Sequence, residues 1–171
     1  MNSLKTKYTQ YYVEGDDEQK LIDVLKNKLF LIKPGNVQKL NVIEKTVTDA
    51  HMRRLKTGTM VVLVFDTDTE HREVLDANIK RLTLCKTVTD VILIPQVKNL
   101  EDEIIRATDI KSIKDFLGSR SNKDFKHDFL NEKKLETKFK EHSFDINKFW
   151  STSPTGVYNG IESQAEKIKL K

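Results

Sequence analysis

The chain has 171 residues, which suits one domain with a substantial core and excludes two large domains. Apolar residues make up 37% and charged residues 33%, which excludes fibrous and disordered classes, and the net charge is +4. The single cysteine, Cys85, excludes an internal disulfide, no Cys or His cluster has zinc-site spacing, and no apolar run reaches the roughly 18 residues of a membrane span. We therefore expect a cytoplasmic protein that makes no contact with a membrane.

Strand and helix patterns alternate along the first half of the chain. The run MVVLVF is continuously apolar, which is typical of a strand covered by helices on both faces. The predicted strands cover 8–13, 39–47, 60–65 and 88–94, the last ended by Pro95, and helices are predicted from Asp17 onward, over 48–57 and over 70–84. Either Asp16 or Asp17 could cap the first helix. This β-α-β-α-β-α-β order predicts an open, mainly parallel α/β sheet with flanking helices.

The second half of the chain has a different character. After Pro95 it consists of short charged segments with isolated hydrophobic residues, spaced as in helices that pack on the sheet. Breaks are expected near Gly118 and Ser143. We therefore predict a sheet domain over 1–107 and a helical C-terminal extension over 108–171 packed on it. Trp150 is expected to anchor this extension in the core, and an exposed ring that stacks on bases is the alternative.

Acidic residues follow two of the predicted strands. Glu14 follows the first strand, and Asp66 and Asp68 follow the third. Because ligands of open parallel sheets gather outside the carboxyl ends of the strands, these side chains meet if the strands are neighbours. Glu18 lies one helical turn after Glu14 and can face the same crevice. Four carboxylates this close need a hard cation, and oxygen ligands favour Mg²⁺ or Mn²⁺, whereas a solvated acidic loop is the alternative.

The motifs YYVEGDDEQKLI and VVLVFDTDT, roughly fifty residues apart, resemble the Toprim fold. Topoisomerases, bacterial primases, small ribosomal-RNA maturases and nucleases of the overcoming-lysogenization-defect (OLD) type share this fold. The resemblance covers roughly residues 8–107 and implies a Rossmann-like Toprim catalytic domain. It implies that Glu14 is the Toprim glutamate, that Asp66 and Asp68 bind metal, and that Glu18 holds a second metal as in OLD-type nucleases. The chain is short for a topoisomerase or primase and lacks the zinc-binding cysteines of a primase.

The resemblance implies further site residues outside the two motifs. OLD-like Toprim proteins often present another acid after the fourth strand, so Glu101 and Glu103 are candidate metal ligands. The alternative is an acidic helix start that complements the helix dipole. These nucleases also use a lysine near the scissile phosphate, for which Lys98 and Lys126 are candidates by position.

Basic charge is concentrated before the acidic centre. Residues 20–60 hold nine Lys or Arg against three Asp or Glu, whereas residues 61–98 hold five against six. This suits a polyanion held over a carboxylate site, although a solvated basic surface is an equal alternative. The candidate phosphate contacts are Lys39, Lys45, Arg53 and Arg54.

Together these residues predict a small, stand-alone OLD-like nuclease that hydrolyses phosphodiester bonds of DNA or RNA with Mg²⁺ or Mn²⁺. Two metals about 4 Å apart can activate a water and stabilise the leaving oxygen. The chain has no G-x-x-x-x-G-K-[ST] motif, and the resemblance implies an ATPase partner in phage defence. A ribosomal-RNA maturase and a non-catalytic nucleic-acid-binding or assembly subunit are the alternatives.

Overall fold

The centre of the molecule is a parallel four-stranded sheet. The computed structural model describes residues 4–170. The strands are β1 (Tyr8–Val13), β2 (Asn36–Lys39), β3 (Thr59–Asp66) and β4 (Val88–Gln96), and the helices that connect them are α1 (Asp16–Asn27), α2 (Asp49–Arg53) and α3 (Glu73–Thr83). The sheet order is β2-β1-β3-β4, and every pair is parallel. The prediction of an open Rossmann-like α/β sheet with flanking helices is confirmed.

β3 is buried along its whole length because it lies between two strands and under helices on both faces. Its side chains alternate between two apolar layers. Val62 packs in the layer that contains Leu21 of α1, and Leu63 packs in the layer that contains Leu75 of α3. Burial of one such side chain stabilises the fold by about 1.5–3 kcal/mol, and β3 is the most completely buried strand of the sheet.

The second predicted strand was misplaced. β2 covers Asn36–Lys39 rather than 39–47, and residues 41–47 form a turn and a loop instead. The buried Asn78 side chain serves the backbone of this loop: its Oδ1 accepts from the Val47 N–H, and its Nδ2 donates to the carbonyls of Val42 and Lys45. These backbone groups therefore have partners without a strand ladder.

β4 continues past the predicted stop at Pro95. It ends at Gln96, with Pro95 beside Phe65 and Gln96 beside Asp66 in the register. β4 is an edge strand, where a residue without an N–H is tolerated, so Pro95 does not end it.

Short helices follow the sheet. They are α4 (Leu100–Ala107), α5 (Ile113–Leu117), α6 (Phe125–Asn131) and α7 (Leu135–Glu141), followed by 3₁₀ turns at Gly156–Tyr158 and Ala165–Lys167. The expected break at Gly118 is the left-handed residue after α5, with φ +69°. Phe125, Phe129 and Trp150 share one apolar cluster with Leu21 of α1, so the region after residue 107 completes the core of the sheet domain.

The last segment crosses back over the sheet domain without forming a long helix. Gln164 pairs with Leu93 of β4 through two hydrogen bonds of 2.9 Å, which cover part of the exposed strand edge. The backbone of Ile168 and Leu170 bonds to Lys33 and Leu31. Within residues 4–170, none of the helices has the length and apolar composition to cross a membrane.

Candidate active site

The carboxyl ends of β1 and β3 lie side by side in the middle of the sheet. The chain leaves β1 to form β2 on one side, while β3 lies on the other side, so this is the point where the strand order reverses. Such a switch point leaves a crevice in which open α/β sheets bind ligands. Glu14 directly follows β1, and Asp66 is the last residue of β3.

Three predicted acids interact in this crevice. Burial raises the pKa of Glu14, the backbone of Asp66 opposes the rise, and the charge of Asp68 adds to it. Burial also raises the pKa of Asp66 to about 8, and the charges of Glu14, Asp68 and Glu101 contribute to the rise, while the hydrogen bond from Gln96 opposes it. The structure therefore brings Glu14, Asp66 and Asp68 together.

The start of α1 adds two buried acids. The Gly15 N–H donates to Glu18 Oε2 at 2.9 Å, so Glu18 closes the helix start, and neither Asp16 nor Asp17 is the N-cap residue. Gly15 has an extended backbone with φ −143°, and its role is close approach. A Cβ at this position would lie 3.0 Å from Asp17 Oδ1 and 3.2 Å from Glu18 Oε2. The absence of a side chain at Gly15 therefore lets both acidic side chains fold back against the start of α1.

Asp17 and Glu18 share a hydrogen bond and divide their charge unequally. Burial raises the pKa of Glu18 to about 9, helped by the bond to Asp17 and by the charges of Asp17 and Asp66. Burial acts to raise the pKa of Asp17, but the bond from Glu18 and the charge of Lys126 outweigh it and lower this pKa. At neutral pH Glu18 therefore carries the shared proton. Asp17 was not predicted as a site residue, and its buried Oδ2 makes no hydrogen bond within residues 4–170.

Lys126 is the predicted lysine that reaches the acids. Its Nζ lies 3.4 Å from Asp17 Oδ2 and 3.7 Å from Glu101 Oε1. Burial acts to lower its pKa, but the charges of Asp17, Glu101 and Glu18 raise it. Lys126 is therefore a fixed cation beside the carboxylates, and Glu101 joins the cluster through it. Lys98, the other candidate, is exposed at the same edge, where its carbonyl accepts from the Thr67 N–H.

A second lysine fixes the helix that carries Lys126. Lys20, on α1, donates from Nζ to the carbonyls of Phe129, Leu130 and Glu132 at 2.8, 2.7 and 2.6 Å. These carbonyls lie at the end of α6, where helix carbonyls lack partners within the helix. α6 is therefore attached to α1, which carries Asp17 and Glu18.

Glu103 belongs to the fold rather than to the acidic cluster, in contrast to its prediction as a metal ligand. It is fully buried, and protein donors occupy both carboxylate oxygens. Its Oε1 accepts from the Val97 N–H at 2.9 Å and from Arg106 at 2.7 Å, and its Oε2 accepts from the Trp150 N–H at 3.0 Å. Its carboxylate therefore joins β4, α4 and the C-terminal segment.

A buried chain of hydrogen bonds leads from Trp150 to Asp66. Gln96 Nε2 donates to Asp66 Oδ1 at 2.7 Å, and Gln96 Oε1 accepts from Trp150 Nε1 at 3.2 Å. The indole N–H can only donate, so it fixes which end of the Gln96 amide faces Asp66. Trp150 is 1% exposed, which confirms the core anchor and excludes the stacking platform. The role of Gln96 was not predicted, although it ends the strand beside β3.

The predicted phosphate contacts are dispersed. Lys39 ends β2 at the carboxylate edge and pairs with Asp16. Lys45 is exposed in the loop after β2, and Arg53 is exposed at the end of α2. Arg54 lines a cleft between the beginnings of the strands, at the opposite edge. These four residues therefore do not form one surface beside the acids.

The donor set of the cluster fits a hard divalent cation. Its oxygen atoms are of the type that Mg²⁺ and Mn²⁺ prefer, and burial and neighbouring acids raise the pKa values of Glu14, Glu18 and Asp66. Asp17 Oδ2 is buried without a hydrogen bond from the described part of the chain, and its ionic contact is the ammonium group of Lys126 at 3.4 Å. No three His, Cys, Asp or Glu side chains of the described residues 4–170 are arranged to hold a metal ion together, so ligation requires side chains to turn towards a common point.

No protein-family model, no curated protein and no solved structure matches this chain. Its function is therefore inferred from the chemistry of the carboxylate crevice.

Proposed function

We propose that the protein is a Toprim-type nuclease that hydrolyses phosphodiester bonds with Mg²⁺ or Mn²⁺. The observation that carries the proposal is the meeting of acids from two adjacent strands and from the start of α1 at the switch point of the sheet. A purely structural cluster would keep its carboxylates paired, as Glu103 is. In the crevice, one ammonium group, that of Lys126, contacts two of the acids, and burial and neighbouring acids raise the pKa values of Glu14, Glu18 and Asp66.

The acids fall into two groups by position. Glu14, Asp66 and Asp68 follow β1 and β3 and would hold one ion, while Asp17, Glu18 and Glu101 lie towards α1 and α4 and are candidates for a second. A bound divalent ion supplies Lewis acidity: it polarises phosphate oxygens and makes a water molecule more acidic.

The side chains of the protein orient and balance this site. Gln96 occupies Asp66 Oδ1 and leaves Oδ2 for a ligand. Lys126 is 59% exposed at its side chain although it contacts buried acids, so a phosphate from solvent can reach its ammonium group. A positive group that is already in place stabilises negative charge that develops on a phosphate without reorganisation at the moment of reaction.

Incubation of the purified protein with supercoiled plasmid DNA and with structured RNA tests the proposal, with Mg²⁺, with Mn²⁺ and with EDTA. We expect metal-dependent cleavage that Asp66→Ala and Glu14→Ala each reduce by about a thousandfold or more, since both remove a proposed metal ligand. Asp90→Ala is the matched control, because Asp90 is a half-exposed acid that pairs with Lys167 at the beginning of β4.

The outcomes separate the candidate functions. Cleavage of plasmid DNA supports a nuclease of the OLD type, and cleavage confined to structured RNA supports an RNA maturase with the same chemistry. Failure to cut either substrate with either metal overturns the proposal and favours a non-catalytic binding or assembly subunit. Equal loss of activity in Asp66→Ala and Asp90→Ala would also contradict it, because the loss would then not come from the crevice.

A further inference from the structure

A cleft at the edge of the sheet opposite to the carboxylates has a basic lining. It has a volume of about 460 Å³ and lies between the beginnings of β1, β2 and β3. Lys7, Arg54 and Lys56 line it, and no Asp or Glu of the described residues does. The side chains of these three residues make no hydrogen bond or ion pair with any other residue of 4–170. Three uncompensated cations around one concave surface attract an anion.

An exposed aromatic ring lies among these cations. Tyr8, the first residue of β1, is 45% exposed, and Lys56 Nζ lies over its ring at 5.1 Å from the centroid. Sites for single-stranded nucleic acid combine cations with exposed aromatic rings, because the phosphates bind the cations and the bases stack on the rings. A paired base in a duplex cannot present its face to Tyr8, so the combination favours an unpaired strand.

The cleft is formed before any ligand binds. Gly35 lies against β1 so closely that a Cβ there would be 2.5 Å from the Thr9 carbonyl oxygen. The turn at Gly35 is held by Lys26, whose Nζ donates to the Gly35 carbonyl at 2.7 Å, and by Asn36, whose side chain donates to Gln10 at 2.8 Å. A rigid floor lowers the entropy cost of binding.

We propose that this cleft binds a single-stranded segment of nucleic acid, with phosphates on Lys7, Arg54 and Lys56 and one base stacked on Tyr8. The volume lies within the range of about 300–1,000 Å³ that is usual for ligand sites. The proposal rests on the proposed function for the class of ligand, but it shares no residue with the acidic crevice. The nucleic-acid segment bound at Arg54 therefore lies at the edge of the sheet opposite to the carboxylates.

Fluorescence anisotropy with a labelled oligonucleotide of about 12 unpaired nucleotides tests the proposal in EDTA, where the carboxylate site holds no metal. We expect Arg54→Ala and Lys56→Ala each to weaken binding about tenfold and to reduce the slope of log affinity against log salt by about 0.7. Arg53→Ala is the matched control, since Arg53 is an adjacent exposed arginine that does not line the cleft. Tyr8→Ala should weaken binding about tenfold, and Tyr8→Phe should retain it.

Several results would overturn the cleft as a nucleic-acid site. If Arg53→Ala and Arg54→Ala weaken oligonucleotide binding equally, the oligonucleotide is attracted by the basic surface in general and not by the cleft. Binding that polyglutamate displaces equally well and that Tyr8→Ala leaves unchanged would point to a general polyanion or acidic-peptide site. Asp66→Asn should bind the oligonucleotide in EDTA as the unmodified protein does, and a loss of binding in this variant would overturn the cleft as a site separate from the carboxylates. A protein that cleaves nothing with either metal could still bind the oligonucleotide in a way that Arg54→Ala weakens. That result would contradict the proposed nuclease function but not the cleft as a binding site.

Discussion

Gln96 donates a hydrogen bond to Asp66 across the last pair of β3 and β4, at 2.7 Å and in a buried setting. The other end of the Gln96 amide is held by the indole N–H of Trp150. The orientation of an acid at the end of the central strand therefore depends on a residue of the C-terminal segment. The predictions below follow from this arrangement and from the charges around it.

Removal of the Gln96 amide should impair the site without removing an acid. Gln96→Leu replaces the amide with an apolar side chain of similar size and leaves Asp66 Oδ1 without its donor. Because loss of a hydrogen bond to a metal ligand typically costs about 10–100-fold in activity or metal affinity, we expect a fall of that size in cleavage rate and in Mn²⁺ affinity. Gln38→Leu, at a half-buried position of β2, is the control. Unchanged Mn²⁺ affinity in Gln96→Leu would contradict the orienting role.

Trp150→Phe should act through Gln96. The change keeps a buried aromatic ring and removes the indole N–H, so the Gln96 amide is free to turn. We expect a smaller loss of cleavage than in Gln96→Leu, and a double variant no worse than Gln96→Leu alone, because coupled residues are not additive. A double-mutant cycle on cleavage rates measures this coupling. Additive losses would show that Trp150 acts by packing alone.

Asp66→Asn should stabilise the metal-free protein while it abolishes cleavage. Burial raises the pKa of Asp66 to about 8, so at neutral pH folding keeps a proton on this carboxyl that the unfolded chain releases. An amide removes this cost, and we expect a gain of about 1 kcal/mol or more in the free energy of unfolding in EDTA. Thermal unfolding measures it, with Asp90→Asn as control. Destabilisation by Asp66→Asn would mean that the buried carboxylate is already compensated.

The metal-free protein should lose stability as the pH rises. The pKa values of Asp66 and Glu18 are raised to about 8 and about 9, whereas the unfolded chain has values of about 3.9 and 4.3. Between these limits the folded state binds more protons than the unfolded state, so the free energy of unfolding falls with increasing pH. The lowered pKa of Asp17 makes stability depend on pH only below the ordinary pKa of an aspartate, which is outside this window.

Thermal unfolding in EDTA from about pH 6 to pH 8.5 measures this dependence. Because a cation competes with protons for the carboxylates, Mg²⁺ should raise Tm more at the upper end of this range than at the lower end. A metal-free Tm that is constant or rises with pH would contradict the prediction.

Lys126→Ala should slow cleavage more than it weakens metal binding. The ammonium group contacts Asp17 and Glu101 but is open to solvent, so its removal takes away a cation that is available to the substrate phosphate. We expect a loss of about tenfold or more in cleavage rate with Mn²⁺ affinity unchanged or increased. Lys123→Ala, an exposed lysine before α6, is the control. A parallel loss of metal affinity and rate would instead indicate that Lys126 organises the ligands.

The sheet was predictable where burial and periodicity agree. MVVLVF reads as a central strand because both faces of β3 are covered, and the alternation of strands and helices follows from regular apolar spacing. The predicted strand over 39–47 is wrong because β-branched residues also occur in buried loops. The backbone groups of this loop bond to the side chain of Asn78, which is distant in the sequence and gives no local signal. Pro95 misled because its tolerance depends on β4 being an edge strand.

The candidate site was predictable for residues at strand ends. Glu14, Asp66 and Asp68 meet because parallel strands end at one edge, and Lys126 was named by position. Among the three successive acids at the start of α1, nothing in the spacing separates Asp17 from its neighbours, because only the contact with α6 places it beside Lys126. Glu103 was misassigned because a buried carboxylate with three donors has the same local sequence as a ligand.

The full burial of β3 gives the crevice one stationary wall. Asp66 stands on a strand that cannot shift without disturbing both apolar layers, so it serves as the fixed point of the crevice. The opposite wall, with Asp17 on α1 and Lys126 on α6, is joined by the ammonium of Lys20, and α1 is itself packed against β3 through Leu21. Both walls of the crevice are therefore built into the core, and the exposed side chain of Lys126 is left free to change position between them.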